Sequence, residues 1–444
     1  MNPKAGSYLL TAILAATTAA LSTQSSASGF ALIENSATGQ GNAFAGAAAY
    51  AEDATTVWFN PAGMMKLKGN QIVVVGHYIS PKADFSNQGS INADGSPSTG
   101  GNDDGGRDAY VPNIYWVANV HQDIKFGLGI TTPFGLKTEY NDTWVGRYHA
   151  VKTDLKTVNI NPSIAYQLND QISLGAGIDI MLADVVFTNA IDFGALTGAS
   201  GAADGFAKLH ADNHGLSNLT YGFNLGLMYD ITPKTRLGLA YRSEMTIDVA
   251  GSAEFRVPAV AAPVLTTGAF RQTDLNASVT LPQSFSVSVA HDIKQLKLLA
   301  DVTWTGWNSF NELRIHFNNP NQPDSVTTES WQNTLRYSIG LDWQYSPKIT
   351  LRTGLAYDES PVPDARHRTA RIPGNDRRWL SLGGTYRFND AFTFDIGYSH
   401  LFVSDTSINN TFEVTPASAA LAATLKGTYT SSIDIVSAQL RWHY

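Results

Sequence analysis

The sequence predicts an all-β protein, an antiparallel transmembrane barrel of about fourteen strands with an N-terminal segment plugging its lumen. Three observations predict it. From about residue 70 to the C-terminus, apolar and polar residues alternate with period two; short turns alternate with long polar segments; and beyond the N-terminus no stretch is long and apolar enough for a membrane helix.

Composition narrows the class further. The chain has 444 residues, no cysteine, 15% charged residues and a formal net charge of -8. Without cysteine there is neither a disulfide scaffold nor a thiolate metal site. An acidic chain without a Lys/Arg block is a poor match for nucleic acid, whose phosphates demand clustered positive charge.

Residues 1–27 read as a secretory signal. Lys4 precedes an apolar run from Tyr8 to Leu21, and Ser25, Ser26 and Ala27 supply the small residues a signal peptidase needs. Residues 28–69 do not alternate. They are rich in Ala and Gly and hold the turn-forming run Asn60, Pro61, Ala62 and Gly63, which suits close packing inside a lumen or, alternatively, a periplasmic linker.

Residues 70–444 form the expected barrel. Between Leu335 and Tyr345 the odd positions are large and apolar or aromatic, and the positions between are Arg336, Ser338, Gly340, Asp342 and Gln344. One face of such a strand is greasy and the other polar, a pattern that a water-soluble sandwich shares. The turns separate the cases. Tight signals at 122–123, 169–170, 232–234, 292–294, 346–348 and 389–390 each join two strands, and longer polar segments centre near 95, 143, 202, 264, 320, 368 and 415. Hydrocarbon offers no partner to backbone N–H and C=O groups, so a membrane sheet must close on itself. Aromatics at strand ends suggest two girdles, with Tyr229, Tyr345, Phe388 and Trp442 beside the short turns and Trp116, Tyr241, Trp304, Tyr357 and Trp379 toward the long loops.

The blocks 28–46 and 51–63 closely resemble the N-terminal hatch of FadL-type (OMPP1/FadL/TodX) outer-membrane transporters, and the likeness continues through 134–142, 241–244, 303–307, 358–363 and 372–381. The resemblance covers essentially the whole mature chain. It implies a fourteen-stranded barrel in the Gram-negative outer membrane, with Asn60, Pro61, Ala62 and Gly63 as the hatch motif. It also implies uptake of long-chain fatty acids: capture at extracellular loops, passage to a pocket near the hatch, and lateral release through a kinked third strand. Phe30 matches the aromatic residue of the hatch terminus that touches substrate in the family.

On that reading the third strand is 125–135. Pro133 lacks an N–H and Gly135 permits unusual dihedrals, so pairing is expected to fail around Thr132, Pro133, Phe134 and Gly135; a plain strand end explains the same residues. The apolar stretch holding Val257, Val260, Val264 and Leu265, together with 193–196, is expected to line the capture groove. Expected partners are the hydrophobic cargo, lipopolysaccharide and outer-membrane lipid, with the protein a monomer.

The polar end of the cargo finds no obvious basic residue, because 182–190 holds no Arg or Lys. That keeps aromatic hydrocarbons such as toluene as an alternative cargo, and an adhesin or receptor as an alternative function. Arg366, Arg368, Arg371, Arg377 and Arg378 cluster on one outer loop as candidates for a carboxylate, for lipopolysaccharide phosphates or for plain solvation. No cofactor or enzyme is expected. Gly39 to Gly41 lacks the βαβ setting of a dinucleotide site, the histidines assemble no nucleophile motif, and His210 and His214, four apart, read as solvated rather than as metal ligands.

Overall fold

The structure, a computed structural model, describes residues 29–198, 204–215, 218–412 and 423–444; the expected signal segment lies outside them. Fourteen strands close an antiparallel barrel. They are β1 (Gln71–Asn87), β2 (Ala109–His121), β3 (Ile124–Thr131), β4 (Lys152–Gln167), β5 (Ile172–Ile191), β6 (Thr220–Thr232), β7 (Thr235–Arg242), β8 (Ser284–Ile293), β9 (Leu296–Thr305), β10 (Thr334–Ser346), β11 (Ile349–Asp358), β12 (Arg377–Arg387), β13 (Phe392–Val403) and β14 (Ala423–His443). Each pairs with the next, and β14 returns to β1 in register from Gln71↔His443 to Asn87↔Gly427. The short connections fall at the six predicted turns. On the opposite rim, shorter strands such as Gly205–Asp212, Met245–Arg256, Thr273–Leu281 and Glu312–Phe317 carry the wall outward.

Polarity is inverted relative to a water-soluble protein. On β10, Arg336, Ser338 and Asp342 are buried while Ile339 is 61% exposed, because alternate side chains face hydrocarbon and lumen. Two of the predicted girdle residues belong elsewhere. Trp116 donates from Nε1 to the Tyr444 hydroxyl (2.9 Å) and packs on Phe126, which puts it at the short-turn end. Trp379 is buried against Phe44 of the N-terminal segment; the parity of its strand, with Leu380 and Leu382 outward, turns it into the lumen.

The described part of the N-terminal segment, 29–69, folds inside the barrel as short helical turns. Asn60 explains the turn motif. Its Oδ1 accepts from Ala62 N (3.1 Å), and its Nδ2 donates to Ala48 O (2.7 Å) and to Leu227 O (3.1 Å) and Leu239 O (3.3 Å) on β6 and β7. Pro61 opens the following turn where a missing N–H costs nothing. Around the ring, wall glycines admit the hatch backbone: a Cβ at Gly238 would collide with Ala48, at Gly354 with Asn42, and at Gly175 with Ala62.

Charge fixes the same interface. Asp395 on β13 meets Arg441 (2.8 Å) and Arg352 (3.8 Å), Arg352 meets Asp342 (3.3 Å), and Asp342 accepts the Tyr50 hydroxyl of the hatch. Gln439 on β14 donates to Asp53 of the hatch (2.8 Å). Buried charges survive only when paired and hydrogen-bonded in this way.

Candidate functional site

Above the hatch the inward face changes character. On β5 it passes from Ser173 and Asp179 to Val185 and Phe187, and the space it lines is a cavity of about 710 Å³. Leu155, Ile247, Val279 and Phe317 add to an apolar wall, of the size and character of small-molecule sites.

Phe30 forms part of the floor. Its ring packs on Trp307 (5.0 Å between centroids), Phe310 (5.7 Å), Trp331 (5.8 Å) and Phe134 (5.9 Å). Gly29 is required beside it: it holds φ +58°, and a Cβ there would meet Trp331 at 2.6 Å and Trp307 at 2.8 Å. Trp307 and Phe134 in turn line a smaller chamber of about 170 Å³ on the far side, with Pro133 in its wall.

The third strand breaks where Pro133 interrupts it. β3 pairs with β2 only as far as Ile114↔Ile130, and after residues 132–134 the chain resumes pairing at Gly135–Glu139 with β4, touching on its other side only the segment before β2, through the bridge Gly106↔Thr138 and Glu139 N to Gly105 O (3.1 Å). Between Ala109–Asn113 of β2 and the resumed strand there is no ladder. The freed backbone is satisfied from inside: Thr132 N donates to Asn113 Oδ1 (3.0 Å), Phe134 N to Thr157 Oγ1 (3.1 Å), Gly135 N to Phe30 O (3.0 Å), and Leu32 N to Pro133 O (2.8 Å). The start of the hatch thus lies as a short strand against the break.

Polar groups in the cavity wall are few. Arg371, from the β11–β12 loop, donates through Nη1 to Lys152 O and Thr153 Oγ1 (both 3.0 Å) and stacks over Phe187 (4.7 Å). It makes no ion pair among the described residues, and its accessible surface opens on the cavity. Burial lowers its pKa to about 10, so it stays cationic at neutral pH. Glu329, from the β9–β10 loop, accepts from Trp331 Nε1 (2.9 Å), and burial pushes its pKa up to about 8. Burial likewise pulls His149 down to about 4, leaving a neutral imidazole. Arg371, Glu329 and His149 thus contribute one positive charge and two neutralised groups at neutral pH, while Asp192 and the ion pair of Arg314 with Asp324 (3.4 Å) also border the cavity.

Of the apolar loop residues singled out above, Val264 lies on the cavity wall, as does Leu196; Val257, Val260 and Leu265 do not, and Val260 points to solvent. The arginine cluster disperses. Arg368 is tied to Ser407 O and Gly374 O, Arg366 is exposed, and Arg377 lines the smaller chamber. Glu329 and His149 had no local motif to mark them, since each reaches the cavity from a different loop.

A sequence profile described as "Outer membrane protein transport protein (OMPP1/FadL/TodX)" matches residues 18–444. The long-chain fatty acid transport protein of Salmonella typhi is 33% identical over 89% of this chain and 92% of its own length, and that of Escherichia coli K12 is 31% identical over 89% and 92%. Outer membrane protein P1 of Haemophilus influenzae is 32% identical over 89% of each. Among solved structures, a Pseudomonas aeruginosa FadL homologue superposes with a TM-score of 0.84 at 24% identity, covering 94% of this chain and 100% of that one. The Pseudomonas putida toluene transporter TodX gives 0.68 at 18%, covering 94% and 99%.

Proposed function

The chain belongs to the OMPP1/FadL/TodX family of outer membrane transport proteins, and from that premise we propose that its cargo is a long-chain fatty acid whose carboxylate is met by Arg371. A guanidinium facing an apolar cavity without a counter-ion is costly unless the ligand brings the anion. Planar N–H donors suit a carboxylate in particular. Toluene would leave that charge unanswered. Relatives named for long-chain fatty acid transport are 31–33% identical to this chain, against 18% for the toluene transporter TodX.

The route proposed is capture at the outer loops, entry to the large cavity, displacement past Phe30 to the smaller chamber, and lateral exit through the break at residues 132–135 into the outer leaflet. Each buried methylene contributes about 0.8 kcal/mol, so capture is easy and release limits turnover. The broken ladder supports the exit because no inter-strand bonds between β2 and the resumed third strand must be undone. A closed barrel leaves no sheet edge that a second chain must cover, so the unit is read as a monomer set among lipopolysaccharide and outer-membrane lipid.

The test is uptake of radiolabelled oleate and toluene by cells lacking their own transporter and expressing either this chain or Arg371→Met, with surface folding verified. Loss of oleate uptake with toluene uptake retained is expected. Equal oleate uptake by both proteins would overturn the assignment of Arg371, and toluene uptake without oleate uptake would move the protein to hydrocarbon cargo.

A further inference from the structure

On the outside of the wall, three side chains from two neighbouring strands converge, with a fourth close by. Asp184 lies on β5, His210 and Asp212 on Gly205–Asp212, and His214 follows two residues later. The inner neighbours Ala183, Val185, Leu209 and Ala211 line the cavity, so by strand alternation Asp184, His210 and Asp212 belong to the opposite face.

The register sets Asp184 directly across from Asp212. Like charges opposed in a ladder are destabilising. The cation next in that row, Lys156 opposite Asp184, contacts Asp154 instead (3.3 Å). His210 Nε2 lies 3.1 Å from Asp184 Oδ2, the ligand atoms of Asp184, His210 and Asp212 all lie within 4.8 Å of one another, and His214 Nδ1 is 3.8 Å from Asp212 Oδ1.

We propose that these residues form a divalent metal site of the zinc class, bridging β5 and the strand Gly205–Asp212. Asp184, His210 and Asp212 bring together one imidazole nitrogen and two carboxylate oxygens, and a turn of the exposed His214 side chain beside Asp212 adds a second nitrogen to complete a four-coordinate set for a borderline ion, whereas calcium and magnesium prefer oxygen alone. Tetrahedral metal–ligand bonds of about 2.0–2.2 Å set ligand atoms about 3.4 Å apart, so the side chains must draw in from separations of up to 4.8 Å, and all four are solvent-accessible enough to do so. The ion also answers the opposed carboxylates. His210 and His214 gave no metal signal in the linear sequence because the completing oxygen comes from Asp184, on the adjacent strand. Since Leu209 and Ala211 line the cavity from the same strand, the bound ion would brace the cavity wall from outside.

The test uses the untagged full-length mature chain in detergent micelles, stripped with chelator and titrated with zinc chloride by calorimetry. One saturable equivalent is expected, weakened at least tenfold in His210→Ala and in Asp184→Asn, with zinc raising the thermal transition of the unaltered protein and leaving that of His210→Ala unmoved. Retained oleate or toluene uptake shows that each variant is folded. The proposal is overturned if no saturable equivalent appears, if both variants bind as tightly as the parent, or if calcium chloride competes at equal concentration.

Discussion

Near the short-turn end, β5 offers Ser173 and Asp179 to a lumen filled by the hatch; a few residues further along the same strand, Val185 and Phe187 border an open cavity. Below, hatch and wall meet through directional bonds: Asn60 to β6 and β7, Gln439 to Asp53, Tyr50 to Asp342. Above, apart from the polar groups around Arg371, contacts depend mainly on burial, which has no preferred direction. A region held by directional bonds has one resting position, whereas an apolar surface lets a chain slide along it. On the proposed route, this difference suits the lower lumen to holding and the upper lumen to passage.

The strongest attack on that division is Asp395→Ala. It leaves Arg441 and Arg352 buried with fewer counter-ions and is expected to cost about 3–5 kcal/mol, read as a lowered thermal transition in micelles, with cavity binding disturbed only through loss of fold. An unchanged transition would mean that the lower lumen is not held by charge. Asn60→Ala should cost about 1–3 kcal/mol by removing its hydrogen bonds to two wall carbonyls, the Ala48 carbonyl and the Ala62 N–H; limited proteolysis of the hatch reads it.

In the cavity the order reverses, with small effects on stability and larger ones on uptake. Arg371→Met should shift the thermal transition less than either lower-lumen variant, because the lost hydrogen bonds are offset by relief of a buried charge, and should reduce oleate uptake about tenfold, equivalent to about 1.4 kcal/mol. Glu329 supplies the pH dependence. Its folded pKa of about 8 exceeds the unfolded value, so its contribution to stability is full below the ordinary carboxylate range and is lost as pH rises through about 8. Over the same interval the ionised carboxylate competes with cargo for Arg371, so oleate binding by the purified protein should fall a few-fold between pH 7 and pH 9. Glu329→Gln should flatten that step; a step of the same size in the variant would assign it to another group. Least affected is Val260→Ser, whose side chain faces solvent rather than the cavity; a change in oleate uptake beyond about twofold would show that the outer surface takes part in holding cargo.

The barrel was legible in the sequence because hydrocarbon imposes the same demand on every strand, and a period of two needs no knowledge of neighbours. The break at Pro133 was legible for a similar reason: a missing N–H is a local fact. Trp116 and Trp379 were misplaced because strand-end position was read without counting parity and distance to the turn, although Leu380 and Leu382 already fixed the facing of Trp379. Arg371 was visible only as one cation among five. What distinguishes it is a set of partners from other loops, Lys152, Thr153 and Phe187, that no local pattern reveals.

The glycines lining the lower lumen carry an implication for how such proteins diverge. At Gly238, Gly354 and Gly175 the wall is shaped to the hatch backbone, and a side chain gained on one partner must be matched by a retreat of the other. Hatch and barrel are therefore a fitted pair, like a key cut with its own lock, and a chimera joining the hatch of a relative to this barrel is expected to assemble only where both are shaped alike, whatever cargo each carries.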